Sequence, residues 1–239
     1  ILIWFFVRDI TPVEQTGSRA EYQRARDGES IFAILRQNPT VVLYLVAAAL
    51  CSAAYNQYGY LMPLDLGRVH GENGAVIYGT VSSLNCIAVV VFTPFITRLF
   101  RRMIDTKKFL TGRLLFLAGY AMFIVFLGVI PMYYAAMLIF TWGEIFNTLA
   151  DGPYLSARTP ASHRGRINSV SSVFYTILLG AFNIVEGKTY DAFGPGAAWG
   201  MTLGALALSI LLSFLLIFRD RARYPRLYEE NVIEAEARE

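Results

Sequence analysis

Three polar side chains set in an apolar run are where this chain could do chemistry. The run is Met132–Leu155, with Glu144 near its middle and Asn147 and Asp151 following at i+3 and i+7. On a helix that spacing puts all three groups on one face. Glu144 lies about 18 Å along a helix that starts at Met132, close to mid-depth in a hydrocarbon layer ~30 Å thick. A carboxylate at that depth costs about 3 kcal/mol on insertion scales unless it meets water, a partner or a proton. Two readings follow: a titratable group on a wet cavity, or a protonated glutamic acid hydrogen-bonded inside a helix bundle.

Other polar groups sit in apolar runs too. Asn56 and Gln57 fall among Tyr55, Tyr58 and Tyr60. Tyr78, Ser82 and Asn85 share one helical face, and Asn168, Ser172 and Tyr175 form a stripe continued by Asn183 and Glu186. Amides at such depth need hydrogen-bond partners, from a neighbouring helix or from a bound solute. Cys51 and Cys86 read as small packed hydrophobes, and His70 and His163 as exposed loop residues. No histidine has metal-ligand spacing to another ligand, so neither metal nor organic cofactor is expected. A membrane enzyme would need a constellation such as HExxH or a carboxylate dyad, and the chain has no such pattern.

The elements that must carry these groups are membrane helices. The 239 residues are 55% hydrophobic and 16% charged, a balance that belongs to membrane proteins. Six apolar segments are long enough to span: Val41–Leu64, Ala75–Phe100, Leu114–Ile130, Met132–Leu155, Ile167–Val185 and Ala197–Phe218. Residues 1–7 (ILIWFFV) read as the end of a preceding transmembrane helix, which makes the chain a fragment; the run lacks the marks of a signal peptide. Residues 8–38 form a polar connector, 39–218 the six-helix bundle and 219–239 a tail. Ser30–Gln37 has helical apolar spacing and either lies on the membrane surface or starts the first full helix. The third segment has almost no polar content and reads as peripheral scaffold, with Arg113 snorkelling to the headgroups. Gly196, Gly200 and Gly204, at four-residue spacing, read as a close helix contact. Polar faces on segments one, two, four and five, but not three and six, suggest a 3+3 repeat.

Charge sets the orientation. If the chain starts inside and each segment crosses once, all 21 Lys and Arg residues except Arg68 and Lys188 fall on the inner side. Both ends of the segment are then cytoplasmic, in the inner (plasma) membrane. The net charge of +3 is this asymmetry seen in total and does not point to nucleic acid.

Four stretches resemble one family. YNQYGYLMPL is similar to the polar, MPL-ended seventh helix of the major facilitator superfamily, and YGTVSSLNCIAVVVFTPFITRLFRR, with Asn85 in its SLN, to the eighth. TWGEIFNTLADGPYLSARTPASHRGRINS resembles the tenth helix and its turn, and VEGKTYDAFGPGAAW the link between the eleventh and twelfth. The drug/proton antiporter-like bacterial members are the nearest in pattern. The basic turn after the eighth helix keeps Arg101, Arg102 and Lys107 but lacks the family's Gly and Asp at their usual places. The resemblance implies an all-α membrane fold: the C-terminal six-helix half of an alternating-access transporter, partnered by an N-terminal six-helix half. It implies a small-molecule substrate, proton coupling and efflux of drug-like compounds. Asn56, Gln57, Asn85, Asn147 and Tyr175 would line the cavity, and Glu144 would be the protonatable group. Uptake of a sugar or other metabolite by the same fold, or a non-transporting scaffold or receptor module, are the competing functions.

Overall fold

The computed structural model describes residues 30–229, so the expected helix end at 1–7, most of the connector and the end of the tail lie outside the described residues. Helix α1 (Ile31–Gln37) is a separate short helix, ended by Asn38, whose side-chain amide donates to the Ile34 carbonyl at 2.9 Å. Pro39 then opens α2 (Pro39–Tyr55), a position where its missing N–H costs nothing. A 3₁₀ turn at Asn56–Gly59 joins α2 to α3 (Leu61–His70). The long helices follow: α4 (Asn73–Leu99), α5 (Asp105–Val125), α6 (Ile130–Arg158), α7 (Arg164–Phe193) and α8 (Pro195–Arg223). Residues 225–229 add a last helical turn.

Among the described residues five helices are long and apolar enough to cross a membrane: α2 with α3, α4, α5, α7 and α8. Helix α6 has 29 residues but is not one of the five. Glu144, Asn147, Asp151 and Arg158 along it lower its apolar content, and its neighbours bury its other faces.

The break in the first span has a local cause and a local repair. The 3₁₀ turn frees carbonyls at the end of α2, and each finds a side-chain donor. Asn56 Nδ2 reaches the Ser52 oxygen at 2.7 Å, Gln57 Nε2 the Ala53 oxygen at 3.0 Å, and the Tyr120 hydroxyl of α5 the Ala54 oxygen at 2.7 Å. These side chains add to the Asn56 backbone N–H, which itself reaches the Ser52 and Ala54 oxygens, so that the carbonyls at the break are satisfied.

Helices α5 and α6 approach most closely. A Cβ on Gly112 would stand 2.8 Å from the Gly143 carbonyl oxygen, and one on Gly143 2.7 Å from that of Gly112. Only glycine fits at this crossing. Helix α5 also packs on α8, which runs against α2 and α7, while α4 covers α3 and α6. A core centred on Tyr120, Phe140 and Trp199 fills one half of the bundle, and Tyr44, Phe109 and Tyr154 fill the other.

Several expectations are corrected here. The third span runs over Asp105–Val125, not Leu114–Ile130, and is no peripheral scaffold, being packed between α6 and α8. Asp105 in its first turn suits the positive end of the helix, and Gly128, at φ 99°, turns the chain where a side chain would be strained. Arg113 therefore starts two turns inside the helix and is 1% exposed rather than snorkelling. The Gly196, Gly200 and Gly204 stripe is exposed, and a Cβ at any of the three meets nothing within 4 Å. The packed face of α8 is instead the one carrying Ala198, Thr202, Leu206 and Ser209. Cys51 is buried, but Cys86 is exposed, on the same outward side of α4 as Val90. His163 is buried by the 3₁₀ turn Ala161–His163, and half-buried His70 shares a hydrogen bond with the Tyr133 hydroxyl at 3.0 Å.

Candidate functional site

Glu144 is held from two sides. Its Oε1 accepts from the Tyr55 hydroxyl of α2 at 2.9 Å, and its Oε2 from Asn85 Nδ2 of α4, also at 2.9 Å. The same Asn85 amide donates to Thr141 Oγ1 at 2.9 Å. Tyr55 is fixed in turn by stacking on Phe140, with ring centroids 5.4 Å apart. The carboxylate is thus positioned by three helices while remaining only half-buried.

Its open side faces a cavity of about 270 Å³ between α2, α5, α6 and α7. Asn147, Asp151, Arg113 and Tyr175 share that cavity with Glu144. Asp151 accepts a short hydrogen bond from the Tyr44 hydroxyl. Arg113 donates through Nη1 to Ser213 of α8, and its Nε is buried with no hydrogen-bond partner. A second cavity, of about 360 Å³, shares Asp151 and Tyr175 and adds Tyr44, Arg164, Asn168 and Ser172. Together the two spaces lead from Glu144 towards the helix ends that carry Arg158 and Arg164.

The expected residues fall into three places. Glu144, Asn147 and Tyr175 line the first cavity, with Asn147 also donating to the Gly143 oxygen of its own helix at 2.9 Å. Asn85 stands behind Glu144 as its partner. Asn56 and Gln57 are not among the lining residues: Asn56 is bonded to its own helix, and Gln57 is fully buried with Nε2 2.8 Å from Asn183 Oδ1 of α7. Gln57 is a tie between helices. Arg113, Tyr55 and Tyr44 were absent from the expected set. Starting the third helix at Asp105 would have put Arg113 inside the span and flagged it.

A second polar cluster closes the Arg158 end of the bundle. Arg158 of α6 meets Asp220 of α8 with Nε at 2.7 Å from Oδ1 and Nη2 at 2.5 Å from Oδ2, and both side chains are almost fully buried. Tyr154 and Tyr228 donate to the same carboxylate at 3.1 and 2.9 Å. At the opposite end Asp65, 1% exposed, accepts from the Trp199 indole at 2.6 Å and pairs with Arg68 at 3.4 Å. Among the described residues no three His, Cys, Asp or Glu side chains gather as a metal site.

A helical bundle with spans of membrane length and a cavity between them that carries charged side chains defines a class, the multi-pass membrane proteins. The sequence pattern of the Major Facilitator Superfamily matches residues 1–182, and the chain belongs to that family. The family consists of transporters rather than enzymes. A protein of Planococcus maritimus named "Na(+), Li(+), K(+)/H(+) antiporter" is 25% identical over 165 residues, which cover 61% of this chain and 37% of that protein. The chain thus spans well under two thirds of that relative.

Proposed function

We propose that residues 39–218 form the C-terminal six-helix half of a proton-coupled, alternating-access transporter, with α6 as the sixth crossing and Glu144 as the group that takes and gives up the coupling proton. In this reading an N-terminal six-helix half completes the cavity. Residues 8–38 and 219–239 lie on the cytoplasmic side of the plasma membrane, as the distribution of Lys and Arg suggests. The observation that carries the reading is the Glu144 carboxylate, oriented by Tyr55 and Asn85 yet open to a cavity at mid-helix. Ionised, it favours an arrangement that keeps the cavity wet; protonated, it tolerates a closed one. Each state therefore shifts the balance between the two bundle arrangements.

Efflux of a small organic compound is the first substrate reading. A monovalent metal cation is the second, favoured by the name of the Planococcus relative and by a cavity that holds two carboxylates, Glu144 and Asp151. The test of coupling is Glu144→Gln in the complete transporter, since the amide keeps size and hydrogen bonding but cannot change charge. Transport driven by a pH gradient should fall at least tenfold while solute exchange without a gradient persists. Undiminished gradient-driven transport would remove Glu144 from the mechanism.

A further inference from the structure

One carboxyl of the α7 stripe takes no part in the function above. Glu186 is 0% exposed. Its Oε1 accepts from the Thr202 hydroxyl of α8, and its Oε2 is buried with no hydrogen-bond partner. Among the described residues no Lys, Arg or His side chain forms an ion pair with it. A charge buried with one neutral donor and no counter-charge is costly, and a proton removes the cost.

A second buried oxygen at the same junction also lacks a donor. Gln57, likewise 0% exposed, gives Nε2 to the Ala53 oxygen at 3.0 Å and to Asn183 Oδ1 at 2.8 Å, and its Oε1 is unpartnered. The Ala53 carbonyl fixes which way this amide points, since the flipped form would set oxygen against oxygen. Asn183 precedes Glu186 by about one turn of α7. Helix α8 brings Thr202 to the same level. It runs antiparallel to α2 and α3, with the Trp199 indole on Asp65 at one end and Ser209 on the Ala47 oxygen, at 2.6 Å, further along. Equal lengths from the Ser209 contact towards the Trp199 end bring Thr202 level with Ala54. Helices α2, α7 and α8 thus meet where two buried oxygens want a hydrogen. One proton on Glu186 Oε2 serves both, as the donor that Gln57 Oε1 lacks.

We propose that Glu186 is a second proton site of this half, a neutral acid whose O–H donates to Gln57 Oε1 and ties α7 to α2, while Thr202 ties it to α8. The site stands apart from Glu144 and does not rest on the reading of that group. Because Glu186 is covered within this half, an N-terminal half would add no group in contact with it. The ionisable groups on the elements around it are Cys51, Tyr55, Tyr60, Tyr120 and Tyr190, a thiol and phenols whose ordinary forms at neutral pH are uncharged. Asp65 is paired with Arg68 at 3.4 Å, and Lys188 and Asp191 are exposed on α7. Helix α8 carries no charged residue from Pro195 to Phe218. When the site ionises, the O–H bond breaks, the proton passes to water at the Lys188 end of the helix and Oε2 keeps the electron pair. Two oxygens without a hydrogen then remain, and the tie between α7 and α2 is lost.

The test is the infrared carbonyl band of the –COOH form in the purified complete transporter at neutral pH. Glu186→Gln mimics the acid: its oxygen accepts from Thr202 and its amide N–H donates to Gln57. The parent should show a –COOH band that Glu186→Gln removes, Glu144→Gln retains and Gln57→Leu shifts, because that variant takes the acceptor away. In thermal melts the parent and Glu186→Gln should share one midpoint at neutral pH. In alkaline buffer the parent should melt below Glu186→Gln, which shares every other titration. Should Gln57→Leu fail to fold, the band and the pair of midpoints decide. A parent without the band, a band that Gln57→Leu leaves in place, or midpoints that stay equal at every pH would overturn the proposal. So would a Glu186→Gln midpoint below the parent's at neutral pH with sodium or potassium raising the parent's alone, which would make the site an ionised carboxylate holding a monovalent cation. Normal gradient-driven transport by Glu144→Gln would defeat the coupling reading and leave these results as they are.

Discussion

Helix α6 presents carboxylate–arginine chemistry twice, and the two places are built to opposite rules. At its Arg158 end the guanidinium uses Nε and Nη2 on the two oxygens of Asp220 and Nη1 on the Tyr154 carbonyl. Asp220 takes further hydroxyls from Tyr154 and Tyr228, and the Tyr154 ring lies 4.0 Å beneath the guanidinium carbon. Seven residues back along the same helix, Asp151 takes one hydroxyl from Tyr44, and Arg113 stands off with Nε unused beside an open space. A closed network holds helices in register because each member loses its partners if any one moves. An open one keeps capacity for something else. The bundle is clamped at one level and left receptive at the next.

The contrast is broken most severely at the clamp. Arg158→Ala would leave Asp220 buried with, among the described residues, the Tyr154 and Tyr228 hydroxyls as its remaining donors, and stranding a buried partner costs about 3–5 kcal/mol. We expect a sharp fall in folded yield and in the thermal midpoint of the detergent-solubilised protein, with partial recovery in Arg158→Ala/Asp220→Asn. A loss below about 1 kcal/mol, the range of exposed pairs, would place the Arg158 pair in the same class as an ordinary surface contact.

The open region should respond less. Arg113→Met keeps an apolar stem of similar length and removes one hydrogen bond to Ser213, a change worth about 1 kcal/mol. Stability should therefore fall by a fraction of the Arg158→Ala effect, whatever happens to transport. A thermal midpoint as low as that of Arg158→Ala would mean that Arg113 is paired and structural, and the distinction between the two levels would be lost.

The sequence carried the receptive region better than the clamp. Glu144, Asn147 and Asp151 announce themselves because charged and amide side chains at helical spacing stand out against an apolar run. Tyr175 follows by the same logic on α7. Arg158 and Asp220 are 62 residues apart and each sits at the end of an apolar stretch, where a charge is the ordinary boundary of a span; nothing local says that they meet. Arg113 was hidden for a related reason, since a helix taken to begin at Leu114 makes it a boundary residue. The glycines show the limit of spacing alone. Gly196, Gly200 and Gly204 repeat along one face, yet that face is open, whereas Gly112 and Gly143 are isolated in sequence and meet only because α5 and α6 cross there.

The smallest effect expected sharpens the clamp itself. Tyr228, from the turn after α8, donates to Asp220 at 2.9 Å and shares a hydrogen bond with Thr106 Oγ1 of α5 at 3.1 Å. It joins the tail to two helices through one hydroxyl. Burial first, and the neighbouring Asp220 charge next, hold its phenol above the ordinary value. The folded protein thus prefers the neutral hydroxyl more strongly than the unfolded chain does. The sign follows from linkage: the contribution is complete below the ordinary tyrosine value of about 10 and is lost as pH rises beyond it, because the unfolded chain ionises first. Tyr228→Phe should then cost about 1 kcal/mol, one net hydrogen bond. The gap from the parent should stay constant at every pH below about 10 and narrow above it. Thermal melts of the two proteins across a pH series measure this directly. A gap that instead widens as pH rises towards about 10 would mean that the phenol ionises more readily in the fold than in the unfolded chain, and Asp220 would then be held by Arg158 and Tyr154 without the tail.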